Sequence, residues 1–274
     1  MIPRRTVLAG LAGLTVPAVT GCAGRRTATR PDTGQPTAGP AVAGLDAVID
    51  LSHNVTVDDF ALVRRSNILA VVHKATEGGD WIDPSYAGRR RQAESAGLLW
   101  GAYHFGTRQY SGADQAQAFL ATAQPGPKTL LALDFEPNDG NPRNTMTLAQ
   151  GEAFVQTVYQ ATGRMPIVYT HPGWANGMPA GHRGIRLQQP VTSASLLARC
   201  DLWLADHREE PELPFAWADR GWRLWQYAAN QTEGDGAFGD ASRTIAGVSH
   251  CDRNLFAGDA PALYRFWNGR AGTA

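Results

Sequence analysis

Net charge is missing from this chain: 25 Lys and Arg balance 25 Asp and Glu. Nothing therefore favours a polyanion such as nucleic acid, or an anionic membrane surface, as a partner. Cysteine is scarce, with three among 274 residues, and the seven His are scattered without close Cys or His neighbours. No zinc or iron ligand set can be assembled from such spacing, so no metal and no other cofactor is expected. Neither a Gly-rich phosphate loop nor a G-x-S-x-G elbow occurs, which leaves phosphate cradling and an elbow-borne serine nucleophile without a signal.

Long apolar runs are absent as well. The uncharged stretch Thr6–Gly21, behind Arg4-Arg5, is too short and too rich in Gly to span a bilayer, and residues 1–22 read as an export signal. Arg4-Arg5-Thr6-Val7-Leu8 resembles a twin-arginine signal, and Val19-Thr20-Gly21-Cys22 resembles a relaxed lipobox in which Cys22 would carry lipid. The expected destination is periplasmic, cell-surface or secreted, with membrane contact only through that lipid. Residues 23–44 are Gly, Pro, Thr, Ala and Arg with hardly a large apolar side chain, a composition that cannot offset its ordering entropy and reads as a tether.

From Leu45 onward the character changes. Hydrophobic residues make up 43% of the chain and no second linker follows Gly44, so residues 45–274 are expected to form one domain, monomeric in its simplest form. Short apolar runs at Ala47–Ser52, Ile68–Lys74, Leu98–Phe105, Thr129–Glu136, Met165–Thr170, Asp201–Ala205, Arg223–Tyr227 and Thr244–Ser249 read as strands. Helical patterns fall between the early ones, at Val57–Ser66, Pro84–Ala96, Ala113–Ala123 and Leu148–Thr162, and fade after the fifth strand. Alternating β and α segments predict a parallel sheet, and about eight strands predict an α/β, TIM-like barrel with reduced helices in its last third.

One segment concentrates chemistry. Leu130-Leu131-Ala132-Leu133-Asp134-Phe135-Glu136 places two carboxylates two residues apart at a strand end, so Asp134 and Glu136 point to the same side and Phe135 to the other. Like charges held close raise one pKa and supply a protonated acid beside an ionised base, the equipment of glycoside hydrolysis. A D-x-E alone reads more readily as a strand end with two solvated acids, because so short a motif recurs by chance. The barrel decides between them: Asp50 ends the first strand and Asp252 follows the eighth, so closure brings four carboxylates to the mouth where barrel enzymes act.

With these residues in place the chain resembles the glycoside hydrolase family 25 lysozymes, the Chalaropsis-type muramidases, from about Val48 to Phe256. Val48-Ile49-Asp50-Leu51-Ser52-His53, Lys74-Ala75-Thr76-Glu77-Gly78, Gly101-Ala102-Tyr103-His104-Phe105, Leu133-Asp134-Phe135-Glu136, Leu202-Trp203-Leu204-Ala205, Trp225-Gln226-Tyr227 and Asp252-Arg253-Asn254-Leu255-Phe256 carry the likeness in order. The resemblance implies a (β/α)5(β)3-like barrel that cleaves the β-1,4 bond between N-acetylmuramic acid and N-acetylglucosamine in peptidoglycan glycan strands. By position it implies Glu136 as general acid and Asp134 as the partner that tunes it and stabilises charge on the sugar, with Asp50 and Asp252 as the further acids. Carboxylate attack, water attack and help from the substrate's N-acetyl group all remain open for the second half of the reaction.

Around these acids, Tyr103 and Tyr169 at strand ends are expected to stack on sugar and donate to it. Trp225, Gln226 and Tyr227 alternate, so either Gln226 or its two aromatic neighbours face inward, and the resemblance implies that this strand end joins the groove. Lys74 is expected to pair with Glu77 or a site carboxylate. Trp203 and His104 read as packing residues. Cys200 and Cys251 offer a candidate disulfide in an exported chain, the alternative being two buried thiols. The chain departs from the family at Asn54, where an aromatic sugar contact is lost, at His73 and His207, and over Gly177–Thr192, a longer and more polar loop than the family core needs.

Overall fold

The computed structural model describes residues 44–231 and 244–269. The expected export signal, its Cys22 and residues 23–43 of the tether lie outside the described residues.

Eight strands close a barrel. In chain order they are β1 (Leu45–Leu51), β2 (Ala70–Glu77), β4 (Leu99–Phe105), β5 (Leu130–Asp134), β6 (Ile167–Thr170), β7 (Leu202–Ala205), β8 (Leu224–Gln231) and β9 (Cys251–Phe256), while β3 (Trp81–Ile82) is a two-residue flap hairpinned onto β2. Pairing is parallel from β1 through β2, β4, β5, β6 and β7 to β8; β9 then runs antiparallel to both β8 and β1 and completes the ring.

This last strand corrects the sequence reading. The predicted eighth strand at Thr244–Ser249 is a loop with one isolated bridge, Val57 to Val248, and at Gly247 the backbone turns at φ 92°, where an added Cβ would sit 2.3 Å from the Asp59 carbonyl. The real strand starts at Cys251 and is reversed. Its first residues therefore lie at the barrel mouth, and Asp252 registers directly against Asp50.

Alternation along each strand sorts side chains into two cores. Val48, Val72, Leu130, Ala132, Ile167, Leu224 and Phe256 fill the barrel floor, which α6 (Ala260–Asn268) seals with Leu263 and Trp267. Asp259 caps that helix at the Ala262 amide, and the Trp267 indole donates to the Trp100 carbonyl at 2.9 Å. Neither the helix nor its role was evident from the sequence.

The outer faces, among them Ile49, Val71, Trp100, Leu131, Leu133 and Phe135, pack against the crossovers. These are α1 (Phe60–Arg65), α2 (Tyr86–Ser95), α3 (Gly112–Ala123) and α4 (Leu148–Thr162), close to their predicted spans. α4 is fixed at both ends, by a capping box between Thr147 and Gln150 and by left-handed Gly163. After β6 the crossovers shrink to the one-turn α5 (Pro172–Ala175) and short 3-10 turns, as the fading helical signal predicts.

Candidate active site

Above the apolar floor the inward positions become polar. Asp50, Tyr103, Asp134, Tyr169, Gln226, Asp252 and Asn254 are contributed by six strands, and Glu136 stands just beyond the end of β5. All four sequence-predicted acids thus reach one end of the barrel. Asp50 and Asp134 are buried, whereas Asp252 and Glu136 are partly exposed at the rim.

Two amides hold Asp50. Asn254 Nδ2 donates to it at 2.8 Å and Gln226 Nε2 at 3.1 Å, with a weaker contact from Gln226 to Asp252 at 3.4 Å. Both amides are aimed in turn: the Trp203 indole donates to Asn254 Oδ1 at 2.6 Å, and the Tyr169 hydroxyl donates to Gln226 Oε1 at 2.9 Å. Tyr103 and Tyr169 each meet Trp203 edge-on, at 6.2 and 4.9 Å between ring centres. Trp203 is consequently the aromatic base of the site as well as a packing residue.

The electrostatics follow from burial of like charges. Desolvation and then the neighbouring Asp252 hold the Asp50 carboxyl well above the usual carboxylate range, against the pull of its two amides. Desolvation and the Glu136 charge do the same to Asp134, partly opposed by Lys74. One Asp134 oxygen is buried with no hydrogen-bond partner among the described residues. Glu136 is pushed up to about 7, first by desolvation and then by the charges of Asp139 and Asp252. Carboxylates packed in this way cannot all ionise together, so the set retains a proton near neutral pH. Both tyrosine hydroxyls are driven upward too and stay protonated donors.

Several expected contributors are placed elsewhere. Trp225 and Tyr227 are corrections: Gln226 faces inward, so both neighbours turn outward, fully buried in the outer core, with the Trp225 indole donating to the Asp206 carbonyl. Neither can reach a sugar. Lys74, by contrast, projects inward and pairs with Glu77 at 2.7 Å, one of its two expected partners, sandwiched 5.0 Å from the rings of Trp81 and Phe105. The candidate disulfide is also corrected, for Cys200 and Cys251 are both buried thiols that are not bonded to each other. Cys200 precedes parallel β7 at the barrel floor, while Cys251 begins reversed β9 at the mouth, so the reversal sends the two thiols to opposite ends. His104 is the packing residue expected, stacked 4.8 Å from Phe154 and bonded to Thr76 and Gln115.

A cleft of about 420 Å³ opens from Glu136 and Tyr169 toward His171, Met178, Asp206 and Arg208. Asp206 is clamped by Arg208 and the Glu212 amide, which hold its carboxyl below the usual range despite burial. His171 caps α5 through Nδ1, and burial lowers its pKa, keeping it neutral. These two, like Asn254, escaped the sequence reading. Asn254 is two positions after Asp252 within one motif, and strand alternation would have placed it on the same face. Among the described residues no group of three or more His, Cys, Asp or Glu is arranged to hold a metal ion.

Comparison with known proteins is consistent with this geometry. The family model for Glycosyl hydrolases family 25 matches residues 49–235. Lysozyme M1 from Streptomyces globisporus is 28% identical over 249 residues, covering 86% of this chain and 76% of that protein. The N,O-diacetylmuramidase of Chalaropsis sp is 30% identical over 162 residues, 54% of this chain and 77% of its own. The solved bacterial lysozyme from Streptomyces coelicolor superposes with a TM-score of 0.67 at 25% identity, over 84% of this chain and 100% of that one.

Proposed function

The chain belongs to glycosyl hydrolase family 25, and from that premise we propose that it is an exported lysozyme in which Glu136 is the general acid. It is a glycosidase that hydrolyses the β-1,4 bond between N-acetylmuramic acid and N-acetylglucosamine in peptidoglycan, in keeping with relatives named lysozyme and muramidase. The observation that carries the assignment of Glu136 is its place at the rim of the cleft beside buried Asp134, where desolvation and neighbouring charges push its pKa up to about 7. It retains a proton at neutral pH and has access to substrate.

In the proposed reaction Glu136 gives that proton to the glycosidic oxygen as the bond to the anomeric carbon breaks. Asp134, with Asp50 and Asp252 nearby, supplies negative charge in a water-poor setting where positive charge develops on the sugar or its acetamido group. Water then completes hydrolysis at the anomeric carbon. Tyr103, Tyr169, Gln226 and Lys74 form the surrounding wall; Tyr169 lines the cleft itself and presents a ring to sugar.

Export is supported by Arg4-Arg5 and the uncharged stretch after them, with Cys22 as the proposed lipid acceptor, residues 23–44 as tether and 45–274 as the enzyme domain. A Cys22→Ser chain should then be recovered in solution instead of with membranes. The functional reading is tested by mass spectrometry of the soluble products from purified peptidoglycan, beside Glu136→Gln. Muropeptides ending in reducing N-acetylmuramic acid, absent from the variant, are expected. Glycan binding without new reducing ends would mean a binding barrel instead, and ends in N-acetylglucosamine a different bond.

A further inference from the structure

The polar Gly177–Thr192 segment builds a second concavity that the hydrolytic reaction does not use. Its Arg186 and Gln188 close a pocket of about 470 Å³ against Arg108, which follows β4, and against Thr147 and Leu148 at the start of α4, with Trp174 as a wall. No Asp or Glu is among the lining residues.

Several donors belonging to the lining residues lack acceptors in the protein. The Leu148 and Ala149 amides are the first two of a 15-residue helix, so they have no intrahelical partner and lie at the positive end of its dipole. The capping box occupies the Gln150 and Thr147 amides and leaves these two unmet. Independently, Trp174 is 1% exposed and its indole N–H is buried without a hydrogen-bond partner. An unmet donor of that kind costs stability unless something fills the site. Arg108 and Arg186 are exposed and, among the described residues, form no ion pair. Two guanidinium groups, a helix N-terminus and a spare N–H, with no competing acid, fit a planar anion with several acceptor positions, which is a carboxylate.

Its position suggests which one. α5 separates the two concavities: Pro172 and Gly173 line the cleft that contains Glu136, and Trp174 walls the pocket. Asp139, just after Glu136, accepts from the His182 amide at 3.0 Å and so ties the segment to the site. A branch leaving a sugar in the cleft on the α5 side would meet this pocket. We propose that this pocket binds a carboxylate of the peptide stem borne by N-acetylmuramic acid, making the enzyme selective for stem-bearing glycan. The proposal rests on the lysozyme reading above.

The test compares the full chain with its Arg108→Ala/Arg186→Ala double variant on two substrates, glycan strands carrying their stems and the same strands stripped of stems by an amidase. Release of reducing ends gives kcat and KM. Wild type should favour the stem-bearing strands, and the double variant should lose about tenfold in kcat/KM on them, through KM, while matching wild type on stripped strands. Trp174→Phe, which keeps an aromatic ring at the position and removes the N–H, should move in the same direction. An equal loss on both substrates, or none on either, overturns the proposal. If wild type cleaves neither substrate, the lysozyme reading itself has failed, an outcome distinct from the loss of selectivity.

Discussion

Asp83 and Asp134 are buried to a similar degree in the same barrel, 2% and 8% exposed, yet their carboxyl groups move in opposite directions. Asp83 is held below the usual range although burial opposes it, because it accepts from the Ser85 hydroxyl at 2.6 Å, the Ser85 amide at 2.9 Å and the His53 amide at 2.8 Å. Asp134 is pushed above that range, with one oxygen unpartnered and Glu136 as its charged neighbour. Burial alone therefore does not mark a functional acid. What separates the two is whether the fold satisfies the ionised form, as it does behind β2, or starves it, as it does at the mouth.

The sharpest way to break this contrast is at Glu136. Glu136→Gln keeps the shape and removes the proton, so turnover of peptidoglycan should fall by about 10²–10⁴-fold, while circular dichroism shows a retained fold. Loss smaller than tenfold would move the general acid elsewhere in the set. The matching change in the satisfied cluster should act on stability alone. Asp83→Ala leaves the Ser85 and His53 donors unpaired and should cost about 2–4 kcal/mol in denaturant melts, with the pH profile of activity unchanged in the molecules still folded. A displaced profile would show that the two clusters are not separate.

How far the site was legible follows the same division. Asp50, Asp134 and Glu136 stand at the ends of apolar runs, so strand period and barrel closure suffice to bring them together. Asp252 was brought to the right place by the wrong route. Ile245, Gly247 and Val248 look like a strand, whereas Cys251–Phe256 does not, because its inward positions are Asp252 and Asn254, polar for the sake of the site. Hydrophobic pattern fails where strands serve chemistry. The alternation of Trp225, Gln226 and Tyr227 fixes that they lie on opposite faces without saying which face is in; packing against the crossovers settles it, and that depends on contacts distant in sequence. α6 was missed since a helix that plugs a barrel floor adds no strand and breaks no alternation.

Stability should show the cost of the starved cluster. Glu136 binds its proton more tightly folded, at about 7, than its ordinary value of 4.5. Between those values the folded state holds more protons than the unfolded one, so stability falls as pH rises through that window. Glu136→Gln should accordingly be more stable than wild type by about 1–3 kcal/mol above pH 7 and indistinguishable from it near pH 4. Asp83 contributes with the opposite sign, since its lowered pKa supports the fold above the ordinary carboxylate value and loses that support in acid. Melts of wild type and both variants at the two pH values separate the effects, and a Glu136→Gln advantage that is independent of pH would show that repacking, not ionisation, is responsible.

The smallest expected effect isolates one neighbour. Asp139 is the largest charged contributor to the raised pKa of Glu136, and it also accepts from the His182 amide and, through its own carbonyl, from Arg183. Asp139→Asn preserves an acceptor for His182 and removes only the charge. Glu136 should then ionise at lower pH, drawing the alkaline limb of activity down by a fraction of a pH unit, while kcat on the acid side stays as in wild type because the proton donor is intact. Added salt should leave this displacement largely in place, for a charge beside a desolvated carboxyl is poorly screened. An alkaline limb that does not move would assign the raised pKa to burial and Asp252 alone, leaving Asp139 as the anchor of the polar segment and nothing more.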